Sequence, residues 1–466
     1  MSDEKIKVET KDALDIAKQS YKDYGIYVSQ GRSYSHICDG LKSSYRRAIY
    51  GMYLNNSHKT VKLIDLAAQA LPYHPHPSSI SGVIVQLGDG GANLRLMETQ
   101  GNWGNSVKKI EPSADRYIGG YLSHLAESLM CDGVEYCEFV KGEIEKDEPK
   151  ALPTLLPICF INGLKGIPSG LPTLNIPTMD VDSLIDYYID ILKHKDLSYK
   201  PKKLPKPNYK CDIVSDEIAW KQILTTGKGT IKLAPKMSIH DNVIVIDELP
   251  DSKSSESVYK IIEKEILGDK VDMRDESRGQ TRIVIEKVPY KQVDMDELYC
   301  RLYNKLQVNE ICNMAFYDED KIYVPCSFDK VVKSNLQYLI ETHNNRIKHQ
   351  LIDLRLKLSV LEVIEKLKSS TGEIKKLVDM STDEAIKYLS VKYKVVEDTA
   401  SKVLQKSISY LTKAHLDEIY DLQNKINELE NDKSDIYEFL IKRYKDIRKE
   451  IKKQIEKQAQ ELVDIS

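Results

Sequence analysis

The 466-residue sequence lacks the features that a membrane-spanning or secreted protein needs. No apolar stretch approaches the roughly 18 residues of a transmembrane helix. The N-terminus, MSDEKIKVETKDALDIAKQ, is too polar for a signal peptide. The eight cysteines are scattered without a CxxC pair, which argues against a structural zinc site and against a disulfide framework. We therefore expect an intracellular, cytoplasmic protein with reduced thiols and no membrane contact.

Two patterns that bind phosphate or metal in other proteins are incomplete here. The segment TTGKGT (225–230) lacks the upstream glycine of a P-loop and has Gly229 where that loop needs Ser or Thr. Asp294-Met-Asp296 resembles a Mg²⁺-binding acidic pair, but no apolar strand or Glu-Gly turn precedes it, so we predict a helix N-terminus. We expect this chain to hold neither ATP nor Mg²⁺ and to contain no metal-ligating residue.

Composition fits a globular protein and does not reveal its partner. The chain is 41% hydrophobic and 30% charged, and its length predicts two to four domains. Its net charge of −3 does not indicate nucleic-acid binding, although a whole-chain charge can hide a local basic patch. Because there are 28 tyrosines, no single tyrosine is marked as functional by its presence alone.

The pattern along the chain predicts an α+β multidomain protein. Pro-rich segments alternate with β-branched runs after residue 150, which predicts strands at 243–250 and 281–290. From Phe328 onward, apolar residues recur at steps of three and four, which is typical of a coiled-coil arm that leaves the body and returns. An ordinary helical bundle is the alternative. Helices are expected near 181–193, 257–266 and 295–306. The predicted domains are 1–150, an α+β domain at 151–327, an arm at 328–367 and 414–466, and a helical region at 368–413.

The first domain contains a basic segment that predicts a helix. In LKSSYRRAIYGMYL (41–54), Lys42, Arg46 and Arg47 can share one surface, while Leu41, Tyr45 and Ile49 repeat as a buried stripe. Lysine and arginine neutralise phosphates, so this surface is a candidate for DNA binding. The alternative is a merely solvated charged face. A second helix is predicted over Val61–Leu71.

Two shorter motifs could contribute chemistry. In Tyr73-His74-Pro75-His76, the prolines on either side of His76 hold the backbone extended and could fix two imidazoles near a phosphate. In Arg116-Tyr117, a tyrosine nucleophile would have an adjacent cation to stabilise developing charge. Each motif is weak when taken alone. Paired histidines are often structural, and Arg443-Tyr444 also occurs in a helical stripe.

The order of the motifs is more specific than any one of them. GRSYSHICDGLKSSYRRAIYGM (31–52) resembles the opening block of the cleavage subunits of type IIA DNA topoisomerases, such as gyrase A and topoisomerase IV A. YHPH, LMETQGNWGN (96–105) and ADRY (114–117) follow in the order of that family. LPTLLPICFINGLKGIPSGLPTLNIP (152–177), VDMRDESRGQTRIVIE (271–286) and LYNKLQVNEICNM (302–314) are similar to its later blocks. The motifs cover residues 25–345, and the helical remainder agrees by pattern.

The resemblance implies a role for each matched residue. Tyr117 would attack a DNA phosphate and become joined to the 5′ end of the broken strand, while Arg116, Arg32 and His76 hold that phosphate. Ile167 would be an apolar wedge that unstacks a base step. The residues expected to grip the DNA are Lys42, Arg46, Arg47 and His74. The implied folds are a winged-helix domain, an α+β tower and an antiparallel coiled coil with a helical dimerisation gate.

The resemblance also implies partners. Double-stranded DNA, a second copy of the chain and a subunit with ATPase and TOPRIM domains are expected, and that subunit would bind ATP and Mg²⁺. In length and layout the chain is most similar to the medium subunits of T-even-type phage topoisomerases, and it leaves no room for the DNA-wrapping β-propeller of gyrase A. We therefore expect relaxation or decatenation without supercoiling. The chief rival is a non-enzymatic DNA-binding scaffold on a coiled-coil dimeriser.

One position departs from the family pattern. After His76 the family usually continues with Gly-Asp-Ser or Gly-Glu, whereas Pro77, Ser78 and Ser79 follow here. We expect a less acidic start to the DNA-contacting helix, with a reshaped N-terminus.

Overall fold

The structure is a computed structural model in which the chain folds as a mixture of helices and small sheets. This confirms the expected α+β class. The chain forms two compact units, Met1–Leu339 with Ile441–Ser466, and Ile340–Leu440. Among the described residues, no helix is long and apolar enough to cross a membrane. The described residues are 12–106, 110–144, 146–168, 170–266, 270–277, 281–318, 321–406, 410 and 415–464.

Short polar residues begin several helices of the first unit. The side chains of Ser123, Asp180 and Asp216 each accept a hydrogen bond from a backbone N–H in the first turn of the helix that follows. Asp294 accepts from two such groups, so the predicted helix N-terminus is confirmed. The helices are α1 Ala13–Val28, α2 Ser43–Leu54, α3 Leu63–Ala70, α4 Pro77–Leu87, α5 His124–Met130, α6 Ile158–Asn162, α7 Val181–Lys193, α8 Glu217–Thr226, α9 Ser255–Ile266 and α10 Met295–Lys305.

Seventeen short strands are found in the described part of the chain. They are β1 Ser35–His36, β2 Val61–Lys62, β3 Met97–Gln100, β4 Gly119–Leu122, β5 Phe139–Val140, β6 Glu148–Pro149, β7 Leu164–Gly166, β8 Leu174–Ile176, β9 Asp212–Ile213, β10 Lys228–Ala234, β11 Lys236–His240, β12 Val243–Glu248, β13 Val271–Asp275, β14 Ile283–Lys287, β15 Val308–Asn313, β16 Phe316–Asp318 and β17 Lys321–Tyr323. Their sheets have the orders β1-β16-β17, β7-β8-β15-β10-β9, β11-β12-β14-β13, β2-β4-β3 and β5-β6.

The strands and helices predicted after residue 150 are confirmed. β12 and β14 pair antiparallel, and the inward side chains Ile244, Ile246 and Ile285 are fully buried against Leu298 and Leu302 of α10. This is the alternation that a half-buried strand requires. A P-loop connects a strand to the helix that follows it. The segment TTGKGT instead connects helix α8 to strand β10, with a left-handed glycine between them.

The helix predicted over Val61–Leu71 begins two residues late. Val61 and Lys62 instead form β2 and pair antiparallel with the two glycines that open β4. A Cβ atom on Gly119 would lie 2.6 Å from the carbonyl oxygen of Val61, so this close pairing requires a glycine there. Periodicity could not reveal the strand, because its partner lies far along the sequence.

The carboxylate of Asp39 is fully buried in the first unit. It accepts hydrogen bonds from the backbone N–H groups of Leu41, at 2.9 Å, and Leu152, at 3.0 Å. Gly40 takes φ +68°, and a Cβ atom there would lie 2.5 Å from Cβ of Pro157. Asp39 and Gly40 thus bring the start of α2 against the segment that leads into α6.

The long helix α11 (Phe328–Lys368) begins against this same junction. Asn335 donates hydrogen bonds to the carbonyl oxygens of Cys38, at 2.7 Å, and Thr154, at 2.9 Å. Tyr338 donates to the carbonyl oxygen of Ala151 at 2.8 Å. These polar contacts fix the start of α11 on the buried loop that Asp39 organises.

Two long helical stretches pack antiparallel in the second unit. The ring centroid of His343 in α11 lies 5.4 Å from that of Phe439, and Arg355 in the same helix forms an ion pair with Glu430. Residue numbers therefore increase along α11 where they decrease along the opposite stretch. A buried cluster that includes Val363 closes the far end. The other helices within the described residues are α12 Thr371–Val378, α13 Thr382–Tyr393, α14 Glu397–Leu404, α15 Leu416–Ser434 and α16 Ile436–Asp464.

Candidate functional site

The predicted phosphate contacts Arg32 and His76 lie together. A five-residue π-helical turn, Ser29–Ser33, follows α1 and carries Arg32 outward. The guanidinium Nη2 of Arg32 lies 2.5 Å from Nε2 of His76. A guanidinium can only donate, so Nε2 must accept and the imidazole carries its proton on Nδ1. The pair presents a positive charge and one N–H at an exposed position.

His74 is held more deeply than His76. Ser79 in the first turn of α4 donates its hydroxyl proton to the carbonyl oxygen of His76 at 3.0 Å, so Nε2 of His74 donates to the Ser79 oxygen at 3.1 Å. Burial lowers the pKa of His74 to about 4, and the cation Arg47 contributes to that lowering. His74 is therefore a neutral donor near neutral pH and not a cation.

The residues that depart from the family pattern, Pro77, Ser78 and Ser79, form the first turn of α4. His76 is the residue before the helix, and Pro77 is its first residue. Proline is favoured at this position because its missing N–H would have no partner in the helix and its φ is already helical. Ser79 then supplies the hydroxyl that orients His74.

One pocket gathers four of the predicted residues. Arg32, Arg47, His74 and His76 all line it. Tyr117, Arg116, Lys42, Arg46 and Ile167 do not. The other lining residues are Tyr27, Val28, Gly31, Ser44, Pro75, Ser78, Ser79, Val83 and Glu143.

Glu143 is the charged pocket residue that the sequence analysis did not single out. Its carboxylate lies 2.9 Å from Nη2 of Arg47 and accepts a hydrogen bond from the hydroxyl of Tyr27 at 3.3 Å. Arg47 also forms a two-pronged ion pair with Glu148, at 2.7 and 2.8 Å. The charge of Arg47 is thus balanced by two carboxylates. The only signal in the sequence was the acidic run GEIEKDE.

Arg46 and Arg47 do not lie on an exposed face of α2. Arg46 and Arg47 are buried, and Arg46 donates to both carboxylate oxygens of Asp39, at 2.6 and 3.2 Å. Their partners include Glu148, which lies far along the chain, so the spacing within the helix could not show that both charges are paired. Of the predicted stripe, Leu41 and Ile49 are buried as expected, while Tyr45 is half-buried.

Lys42 and Ile167 are both anchored beside β7. The Lys42 ammonium donates to the carbonyl oxygen of Lys165, within β7, at 2.9 Å, and burial lowers its pKa. Ile167 directly follows β7 and is 87% exposed, while its own carbonyl oxygen accepts from the hydroxyl of Ser33 at 3.0 Å. An apolar side chain in solvent on a tethered backbone is the arrangement that an inserting wedge requires.

Tyr117 and Arg116 lie on a separate, exposed turn. The Tyr117 side chain is 65% exposed, and its backbone N–H donates to the carbonyl oxygen of Ala114 at 2.8 Å. The guanidinium of Arg116 lies 4.7 Å from the centre of the Tyr117 ring. The neighbouring Trp103 is buried and donates its indole N–H to the carbonyl oxygen of Gly119 at 3.1 Å, which fixes the strand after the turn. A phenol and a cation are therefore presented together to solvent.

Comparison with known proteins identifies the family. The family model of the A subunit of DNA gyrase and topoisomerase IV matches residues 32–456. The chain belongs to this family. Every predicted site residue, from Arg32 to Ile167, falls within the matched range.

The individual relatives are distant in sequence. The DNA gyrase A protein of Brachyspira hyodysenteriae is 26% identical, over 85% of this chain and 50% of the relative. The DNA gyrase A protein of Thermotoga maritima is 27% identical, over 90% of this chain and 54% of the relative. The topoisomerase IV A protein of Pseudomonas aeruginosa is 28% identical, over 64% and 41%. The chain thus spans about half of the length of these relatives.

Because Arg46 is buried and Arg32 is exposed, substitutions at the two positions should have different effects. We expect Arg46→Ala to lower the free energy of unfolding by about 3–5 kcal/mol, because it leaves the buried Asp39 carboxylate without its cation. Arg32→Ala, at an exposed position, should change stability by less than about 1 kcal/mol and should weaken DNA binding. Urea denaturation and DNA-binding titrations measure the two effects. An Arg46→Ala protein as stable as the unmodified chain would contradict the structural role of this ion pair.

Proposed function

We propose that the chain is the DNA breakage–reunion subunit of a type IIA topoisomerase, with Tyr117 as the nucleophile. The observation that carries this proposal is the exposed Tyr117–Arg116 turn inside a match to the gyrase A and topoisomerase IV A family. A phenol in solvent beside a guanidinium is accessible to a DNA phosphate. The guanidinium can stabilise charge that develops on that phosphate in the transition state.

The proposed step exchanges one phosphate ester for another. The Tyr117 oxygen loses its proton to a base and forms a bond to phosphorus, and the bond from phosphorus to the 3′ oxygen breaks. The 3′ oxygen takes up a proton, and the 5′ phosphate stays on the tyrosine. One ester replaces another, so resealing by the 3′ hydroxyl needs no outside energy.

The pocket of Arg32 and His76 is proposed to hold DNA phosphate. Its guanidinium and its imidazole N–H are both donors, and charge-assisted donors of this kind bind phosphate oxygens strongly. His74 would add a neutral donor. Lys42 would contact the backbone, and Ile167 would enter a base step. Arg46 and Arg47 would act from beneath the surface through their ion pairs, with Arg47 reaching the pocket.

The cofactors are assigned to a partner. ATP and Mg²⁺ are proposed to be bound by a second protein that carries ATPase and TOPRIM domains, as the family resemblance implies. The proposed domains remain a winged-helix cleavage domain at 1–150, a tower at 151–327, coiled-coil arms at 328–367 and 414–466, and a dimerisation gate at 368–413. Double-stranded DNA and a second copy of the chain complete the complex.

The nucleophile can be tested by removing one oxygen atom. We expect Tyr117→Phe to abolish protein-linked 5′ DNA ends and to leave DNA binding nearly unchanged, because affinity comes from many phosphate contacts. Arg116→Ala should slow cleavage by about 10²-fold or more. The assay incubates end-labelled DNA with the chain, its partner, ATP and Mg²⁺ and separates the products on a denaturing gel.

Tyr121→Phe is the matched control, since Tyr121 is the next tyrosine along the chain, within β4, and this variant should cleave normally. Residual covalent linkage in the Tyr117→Phe protein would move the nucleophile elsewhere. If the unmodified chain binds DNA but never becomes linked to it under these conditions, the scaffold alternative is favoured.

A two-fold dimer is proposed because breaking both strands requires two copies of Tyr117 in matching geometry. The region 368–413 carries exposed valines that suit such an interface. Val378, Val391 and Val396 are 78%, 80% and 66% exposed in and beside helices α12–α14. Exposed apolar side chains mark interaction sites where they form a contiguous patch, and we propose that these valines contribute to such a patch between the copies.

Charge placed in this region should separate the copies. We expect Val378→Glu combined with Val391→Glu to convert a dimer into a monomer at micromolar concentration, because two carboxylates would have to lose water on association. Ile218→Glu, an equally exposed apolar site on α8, is the control and should leave the dimer intact. Light scattering measures the mass. An unchanged dimer in the double variant would place the interface outside 368–413.

The direction of the topological change is a further proposal. The matches to gyrase A and to topoisomerase IV A both fall on this chain, so the same stretch is proposed to cleave and reseal DNA in either setting. We propose relaxation or decatenation, the activities that the resemblance to phage-type topoisomerase subunits implies. The complete complex with ATP and Mg²⁺ should relax supercoiled plasmid. Net negative supercoiling of relaxed plasmid would contradict this prediction.

A further inference from the structure

Three metal-ligating side chains meet at the far end of strand β4, away from Tyr117. His58 follows α2, while His124 and Glu127 lie in the first turn of α5. One ligand atom from each lies within 4.8 Å of the others. Nε2 of His58 is 3.5 Å, and Nδ1 of His124 is 3.8 Å, from the same oxygen of Glu127. The two imidazole rings are stacked, with centroids 3.9 Å apart.

Neighbouring groups fix the cluster. Asn56 donates to one oxygen of Glu127 at 2.7 Å, which leaves the oxygen nearer to the histidines available. Its amide also donates to the carbonyl oxygen of Leu122 at 2.8 Å, and its own oxygen accepts from the backbone N–H of His58 at 3.1 Å. His58 takes a left-handed φ of +52° in this turn. Outer contacts of this kind orient metal ligands in proteins.

The nitrogen–oxygen distances in the cluster are those of a loose ion pair, and they are also close to the spacing of ligands around a metal ion. Separations of 3.5 and 3.8 Å between imidazole nitrogen and carboxylate oxygen are longer than a normal hydrogen bond. A tetrahedral zinc ion with bonds of about 2.0–2.2 Å places its ligands roughly 3.3–3.5 Å apart. To bind one ion, the two stacked imidazole rings must turn so that one nitrogen of each points to a common position beside the Glu127 oxygen.

We propose that His58, His124 and Glu127 bind a divalent transition-metal ion of the zinc type. Two imidazole nitrogens and one carboxylate oxygen suit Zn²⁺, Co²⁺ or Ni²⁺ better than Mg²⁺ or Ca²⁺, which prefer ligand sets made of oxygens. The side chain of His124 is 76% exposed, so a water molecule can complete the coordination. No local motif marks the site, because His58 lies far in sequence from the other two ligands.

The ion would join two segments that lie next to the exposed turn of Arg116 and Tyr117. β4 begins just after Tyr117 and ends just before His124, and β2, which follows His58, pairs with it. A bound ion would therefore clamp the end of α2 to the start of α5 across this small sheet. This stabilising role does not depend on the proposed cleavage activity.

Titration of the full-length chain tests the site. We expect Zn²⁺, added to metal-free protein, to bind with one ion per chain at this cluster in isothermal titration calorimetry and to raise the melting temperature, because it binds the folded state. Co²⁺ should give visible absorption bands of nitrogen and oxygen coordination, without the charge-transfer band of a thiolate. That spectrum separates the cluster from the eight cysteines.

Two variants and a control decide the outcome. His124→Ala and Glu127→Gln should each weaken binding at least about 10-fold and remove the thermal shift. Gln can still accept the Asn56 hydrogen bond, so that variant keeps the local fold. His240→Ala, at an exposed histidine outside the cluster, should bind as the unmodified chain does. Undiminished Zn²⁺ affinity and thermal shift in both ligand variants, or a thiolate spectrum with Co²⁺, would overturn the proposal.

Discussion

The first unit depends on one buried carboxylate. Asp39 accepts two backbone N–H groups and both prongs of the Arg46 guanidinium, so a charge that would be costly in the interior is fully hydrogen-bonded. Because Leu152 is among the donors, the carboxylate ties the start of α2 to a segment more than a hundred residues away. Asn335 of α11 then docks on the same loop.

The contacts of Asp39 hold α2 in place, and α2 in turn supports the pocket of Arg32 and His76. α2 turns Arg46 inward to Asp39, and Arg47 reaches the pocket with its charge already balanced by Glu143 and Glu148. The positive charge presented at the pocket surface is that of Arg32, in the turn that α2 packs beneath. The net charge of −3 gives no information on this distribution, because it counts charged residues whether or not they are exposed.

Sequence patterns predicted those helices and strands whose buried face repeats regularly within the segment itself. The alternation of β12 and the stripe of α11 were recognisable because the buried face repeats within the element. The strand at Val61 was not, since it exists only by pairing with Gly119 and Gly120. The site divides in the same way. Ordered motifs identified Tyr117, Arg32 and His76 as candidates, while the pairing of Arg46 with Asp39 and the position of Glu143 in the pocket depend on contacts across the chain.

The α+β class, the family resemblance and the choice of candidate nucleophile could be predicted from the sequence, because motif order and residue type are local information. The exposure of each cation, the neutral state of buried His74 and the proximity of His58 to Glu127 could be found only from the folded structure. Those properties depend on distances between residues that are remote along the chain, and burial, pKa and metal geometry are all set by such distances.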